Sequence, residues 1–191
     1  MSETGITDTI QYLTFRLDNE TYGLDIKQVR EVLEASTITK VPRMPEFMRG
    51  IINLRGGVLP VVDLRLKLGM TETEKTVDTC IIIIELIIEG ENTVLGGLAD
   101  SVKEVITMEE DEIVPPPKIG TRLDTEFIKG MGKKDDDFII LIDIDKVFSF
   151  EEMAVLMASE EGQEFQDIED HEQNGTDTPE KINNNEKPIL G

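Results

Sequence analysis

The sequence predicts a mainly β chain, made of two copies of a small five-stranded unit and closed by one C-terminal helix. Three observations lead there. Short runs alternate apolar and polar residues with the period of a half-buried strand, polar or Gly-rich turns separate those runs, and a set of motifs returns once in the same order. The clearest hairpin is Gly50 to Arg65, GIINLRGGVLPVVDLR. Its two apolar arms flank Arg55-Gly56-Gly57, where glycines permit the positive φ of a tight turn. Arg55 sits at the shoulder of that turn, where a stiff scaffold can hold a long cation in solvent. Pro60 cannot donate to a ladder, so its strand is expected at an edge or a bulge.

From the N-terminus, residues 1–9 read as flexible, and Ile10 to Leu17 as a strand with Leu13, Phe15 and Leu17 inward. Asp18-Asn19-Glu20 turns the chain into Thr21 to Ile26, where Gly23 marks a bulge or a close backbone approach. Lys27 to Thr39 reads as a bent strand. Pro42 and Pro45 make Lys40 to Met48 a connecting loop. Leu64 to Gly69 follows the hairpin as a helical turn, and Met70 to Asp78 is a polar link.

Thr79 to Glu89 is nearly continuous in apolar residues, which implies a strand buried on both faces. Gly90-Glu91-Asn92 returns it into Thr93 to Asp100, with Val102, Val105 and Ile106 extending the pattern. Met108 to Thr125 is a loop containing Pro115-Pro116-Pro117, and Phe138 to Asp143 is the last clear strand. Ser149 to Ala158 has a Ser N-cap, acidic residues in its first turn and Phe150, Met153, Leu156 and Met157 at helical spacing. Ser159 to Gly191 is acidic and apolar-poor, so disorder is expected there.

The repeat gives the order its logic. Tyr22-Gly23-Leu24-Asp25 through Val32 resembles Leu95-Gly96-Gly97-Leu98 through Val105 at an offset of 73 residues. Phe47-Met48-Arg49-Gly50 resembles Phe127-Ile128-Lys129-Gly130, and Val61-Val62-Asp63-Leu64 resembles Leu141-Ile142-Asp143-Ile144, both at an offset of 80. Each copy has roughly 65 to 70 residues, a size at which a lone core is marginal, so the copies should bury surface against each other. Five strands in that length suit a small SH3-like barrel. The expected domain is 10–148, with barrels near 10–70 and 77–148 that could exchange a strand, and with a binding groove at their seam.

Composition narrows the function. A formal net charge of -21 over 191 residues opposes binding to nucleic acid or anionic lipid. Residues 151–191 carry 12 Asp/Glu against 2 Lys/Arg. The longest apolar run is far too short to span a bilayer, and MSETGITDT has no secretory character, so a cytoplasmic protein is expected. Cys80, the single cysteine, lies among isoleucines and reads as a core residue. The single histidine, His171, falls in the acidic tail, which leaves a histidine-based triad without a scaffold. No phosphate loop or dinucleotide fingerprint is present, and Asp135-Asp136-Asp137 lacks the spacing of a cation loop. No enzyme activity, cofactor or metal is expected.

Read together, Tyr22-Gly23-Leu24-Asp25-Ile26-x-x-Val29-x-Glu31-Val32, Pro45-x-Phe47-Met48-x-Gly50, Asn53-Leu54-Arg55-Gly56 and Pro60-Val61-Val62-Asp63-Leu64 resemble the CheW-type chemotaxis coupling proteins. The resemblance spans about residues 10–158. Its NLRG-x-x-x-P-x-x-D core is shared with the regulatory domain of the kinase CheA and with CheV-type adaptors, but no kinase or receiver sequence accompanies it here. It implies two SH3-like barrels around a hydrophobic groove, and no catalysis. It also implies that the protein joins the helical tips of chemoreceptors to CheA, through CheA's own CheW-like domain, at receptor arrays on the inner membrane. Receptor contacts are implied at Val29, Glu31, Ile38, Gly50, Arg55 and Gly96, with the kinase on barrel ends elsewhere. The runner-up functions are an adaptor in a non-motility chemosensory pathway and an inhibitory module that binds only the kinase.

Overall fold

The computed structural model describes residues 8–35, 37–116 and 126–161. Within them lie ten strands: β1 (Thr9–Leu17), β2 (Glu20–Asp25), β3 (Val29–Glu34), β4 (Met48–Leu54), β5 (Gly57–Asp63), β6 (Cys80–Ile88), β7 (Glu91–Ala99), β8 (Ser101–Glu109), β9 (Ile128–Lys134) and β10 (Asp137–Ile142). One helical turn, α1 (Leu64–Lys67), and one helix, α2 (Phe150–Glu161), complete the set. None of these helices is long and apolar enough to cross a membrane. The tail from residue 162, residues 1–7 and part of the Pro-rich loop lie outside the described residues.

The strands form two five-stranded sheets, in the orders β3-β6-β7-β5-β4 and β8-β1-β2-β10-β9. Each curls around a small apolar interior. The first, hereafter the inner barrel, is continuous in sequence, whereas the outer barrel joins the N-terminal hairpin to the last three strands. The boundaries expected at 10–70 and 77–148 therefore do not separate the barrels. In terms of the repeat, the two copies have traded whole hairpins: β1–β2 completes the sheet of the second copy, and β6–β7 that of the first.

The trade is sealed by two parallel pairings at matching positions. Leu141 of β10 faces Gly23 of β2, and Val61 of β5 faces Gly96 of β7. These pairs sit at the offsets of 73 and 80 residues read from the sequence. The same symmetry places the amide of Asp63 on the carbonyl of Phe47 and that of Asp143 on the carbonyl of Phe127, each at 2.7 Å.

A strand exchanged in this way has protein on both sides, which accounts for β1. Leu13, Phe15 and Leu17 face a central core, but Tyr12 is fully buried too, inside the outer barrel with Ile106, Met108, Ile139 and Leu141. Thr14, also buried, donates its hydroxyl to the carbonyl of Glu104 at 2.8 Å. The strand is not half-buried as its alternation suggests. β6 is buried on both faces as expected: Ile82 and Ile84 point to the central core, Ile81 and Ile83 into the inner barrel.

The central core fills the seam between the barrels with 20 buried residues, including Leu24, Val62, Leu64, Leu95 and Ile142. No binding groove therefore lies between the residues of that core. Gly23 makes a close approach and not a bulge; a Cβ there would meet Leu141 at 2.7 Å. Pro60 lies on neither an edge strand nor a bulge, since β5 runs between β7 and β4. Ile51 directs both of its backbone polar groups to Thr39, so Ile51 and Pro60 form a non-hydrogen-bonded pair of the ladder and the missing N–H costs that ladder nothing. Pairing with β7 begins only at Val61.

Strand β9, IKGMGKK, has no alternation strong enough to be read on its own and is found only through its counterpart β4. Helix α2 starts at a reciprocal cap: the amide of Glu152 donates to the Ser149 hydroxyl, and the amide of Ser149 donates to the Glu152 carboxylate. Met153 and Leu156 dock on the central core, while Phe150 is left exposed.

Candidate functional site

The β4–β5 hairpin turns on two residues, Arg55 at φ +53° and Gly56 at φ +86°. Positive φ at both positions is the type I′ requirement, so the special conformation falls on Arg55 and Gly56, and Gly57 already belongs to β5. The Asn53 side chain braces the turn by accepting from the Gly56 amide at 3.1 Å. An arginine held in the left-handed region by a stiff hairpin is a preorganised surface cation.

Arg55 reaches across to edge strand β3, where its guanidinium donates to Glu31 at 2.9 Å. The arginine side chain is 78% exposed and that of Glu31 24%. The pair spans one end of the inner barrel and lies on the rim of a groove of about 390 Å³. Leu54, Leu59, Ile83 and Val94 form its apolar floor. Beside it, Arg30 donates to Glu85 at 2.9 Å, and this bond holds the Glu85 carboxyl below its ordinary range. The site thus offers an apolar floor with fixed charges of both signs at its lip, an arrangement suited to an amphipathic partner surface.

The residues singled out from the sequence do not all gather there. Glu31 and Arg55 do. Val29 lies beyond a bulge in β3, paired with Ile84, and packs on the central core from the opposite face of the strand. Ile38 packs against the inner-barrel interior and lines a separate, smaller groove. Gly50 and Gly96 are buried. At Gly50, with φ +138°, a Cβ would stand 2.1 Å from the Thr39 carbonyl oxygen; at Gly96 it would stand 2.7 Å from Ile81 inside the barrel. These two glycines shape the barrel and do not present surface.

Sequence reasoning missed the residue that anchors this end of the molecule. Asp63 is fully buried. Its carboxylate accepts from the amides of Arg65, Leu66 and Thr73, from the Thr73 hydroxyl at 2.8 Å and from Arg49 at 3.4 Å. It therefore caps α1 and fastens the polar link to β5. The D that closes the NLRG-x-x-x-P-x-x-D motif was its only signal.

Nothing at the groove is arranged for bond-making. Burial pushes the Cys80 thiol up to about 11, which keeps it protonated and inert at neutral pH. Among the described residues, no group of three or more His, Cys, Asp or Glu could hold a metal ion.

Residues 11–152 match the CheW-like domain. The chemotaxis protein CheW of Klebsiella aerogenes is 34% identical over 146 residues, covering 76% of this chain and 86% of that protein. Its counterpart in Bacillus subtilis is 33% identical, covering 73% and 86%. Among solved structures, the scaffolding protein TtCheW of Thermoanaerobacter tengcongensis is 41% identical and superposes with a TM-score of 0.66, covering 76% of this chain and 96% of that one. The doubled five-stranded architecture, the exposed arginine of the NLRG turn and these likenesses make the chain a member of the CheW-like domain family of chemotaxis scaffold proteins.

Proposed function

We propose that this chain is a non-catalytic adaptor that couples chemoreceptors to the histidine kinase CheA, in the cytoplasm at receptor arrays. The observation that carries the reading is the exposed Arg55–Glu31 pair on the rim of an apolar groove at the end of the inner barrel. A helical receptor tip would lay its apolar stripe on Leu54, Leu59 and Val94, while Arg55 and Glu31 fix its register. Ile38 would extend that contact. Val29, Gly50 and Gly96 would act from behind by setting the position of β3 and the barrel's curvature. CheA would dock on barrel ends outside this groove, so that both partners are held together at high effective concentration.

The test is a pull-down of receptor fragments and of CheA by the full chain and by Arg55→Glu. The expected result is weakened receptor capture with CheA capture retained. Unchanged capture of both would move the receptor contact elsewhere, and capture of CheA alone by the unaltered chain would favour a kinase-only module.

A further inference from the structure

We propose that the acidic C-terminal segment of this chain, centred on Glu164–Asp170, docks on a cationic groove of the inner barrel beside Ile38. That groove, of about 190 Å³, is lined by Lys40, Arg49 and Lys75, with Ile38 and Leu98 in its floor and the Thr73 hydroxyl on its wall. None of its described lining residues is a carboxylate, in a chain whose formal net charge is -21. A second groove shares Lys40 and Arg49 with it and adds Arg43. This corner of the domain is thus where the molecule gathers positive charge.

The segment that follows α2 has the complementary chemistry. Glu164-Phe165-Gln166-Asp167-Ile168-Glu169-Asp170 sets two apolar side chains, Phe165 and Ile168, among four carboxylates. Apolar floor and cationic rim match apolar and anionic residues at the same scale. Reach is not limiting. Helix α2 ends at Glu161, and its Glu152 is tied to Lys67, next to the Leu66 that lines the second groove. The 30 residues beyond Glu161 can extend to roughly 100 Å, against a radius of gyration of about 15 Å for a domain of this size. A docked segment would occlude Ile38 and so compete with the proposed receptor contact; only this consequence rests on the proposed function.

The experiment uses the full chain with Gln166→Cys carrying a nitroxide. Cys80 stays unlabelled because it is buried with a thiol that remains protonated. The expected result is several-fold broadening of the Ile38, Lys40, Thr73 and Lys75 amides, lost in 0.5 M salt and in Lys40→Glu/Lys75→Glu. A second variant, Glu164→Lys/Asp167→Lys/Glu169→Lys, leaves the domain untouched and should abolish the same broadening. Broadening absent from the groove, or insensitive to both charge variants, would overturn the proposal. So would broadening that arises only between labelled and unlabelled chains, which would make the occupant a second copy. Neither receptor nor kinase is present, so this test and the receptor pull-down fail independently.

Discussion

The ends of the two barrels are the most instructive pair of regions in the molecule, because the repeat places them at equivalent positions. At the inner barrel, Glu31 pairs with Arg55; at the outer barrel, Glu104, its counterpart 73 residues on, pairs with Lys134. Edge strand and hairpin are thus linked by an ion pair in both. The cation, however, has moved. Arg55 is the first turn residue, whereas its counterpart Asp135, at nearly the same φ of +56°, is an acid and the lysine lies one residue earlier, in β9. The grooves differ accordingly. The inner one has a floor of Leu54, Leu59, Ile83 and Val94, while the outer one is rimmed by Glu104, Glu112, Lys133 and Asp135. One duplicated backbone carries two surfaces, and recognition resides in side chains that the scaffold leaves free to vary.

The buried acids break the comparison most sharply. Asp63 is sealed with five donors, while Asp143, its counterpart, keeps 29% of its side chain exposed and pairs with Lys146. Asp63→Ala strands Arg49 and the Thr73 hydroxyl and should cost about 3–5 kcal/mol in a denaturant titration. Asp143→Ala should cost below about 1 kcal/mol. Equal losses would mean that the two acids do the same structural work.

Glycines sharpen the distinction between shape and surface. Gly50→Ala forces a Cβ onto the Thr39 carbonyl at positive φ and should cost about 2–4 kcal/mol. Gly56→Ala, at φ +86° with nothing within 4 Å, should cost about 1 kcal/mol. Thermal unfolding of the two variants separates these effects.

At the surface the expected changes are in binding. Arg55→Glu should reduce receptor-fragment affinity about tenfold, roughly 1.4 kcal/mol, while leaving stability within about 0.5 kcal/mol because the arginine is solvated. Lys134→Glu, at the outer end, should leave receptor affinity unchanged. Isothermal titration of both variants decides whether the two ends are functionally distinct.

The smallest effect concerns α2. Burial raises the Glu152 carboxyl, but hydrogen bonds from Lys67 and from Ser149, together with the charge of Lys67, outweigh it and hold the group below its ordinary value. A depressed folded value means that the stabilisation is fully present above the unfolded value of about 4.3 and is lost as pH falls through the folded one. Amide exchange at Met153 should accelerate below that range in the unaltered chain. In Glu152→Gln it should already be faster at pH 7, by an amount corresponding to at most about 1 kcal/mol.

Local features were legible in the sequence because they depend on neighbours in the chain. The NLRG hairpin, the Ser149 cap and the repeat offsets all follow from spacing. The hairpin exchange was not legible: β1–β2 and β6–β7 are equivalent in the repeat, so either partner satisfies the same apolar pattern. Tyr12 and Thr14 carried no sign that a second layer would cover them. Of the site, Glu31 and Arg55 could be placed together, but the bulge after Val29 reverses its face. A buried Asp63 contradicts the usual exposure of aspartate, and its five donors come from separate segments that only folding brings together.

The account stands most directly on kinase activity in a reconstituted mixture of receptor fragments, CheA and this chain. It predicts activity that requires all three components, falls with Arg55→Glu and survives Lys134→Glu. Activity indifferent to the presence of the chain, or equally sensitive to both reversals, would contradict it.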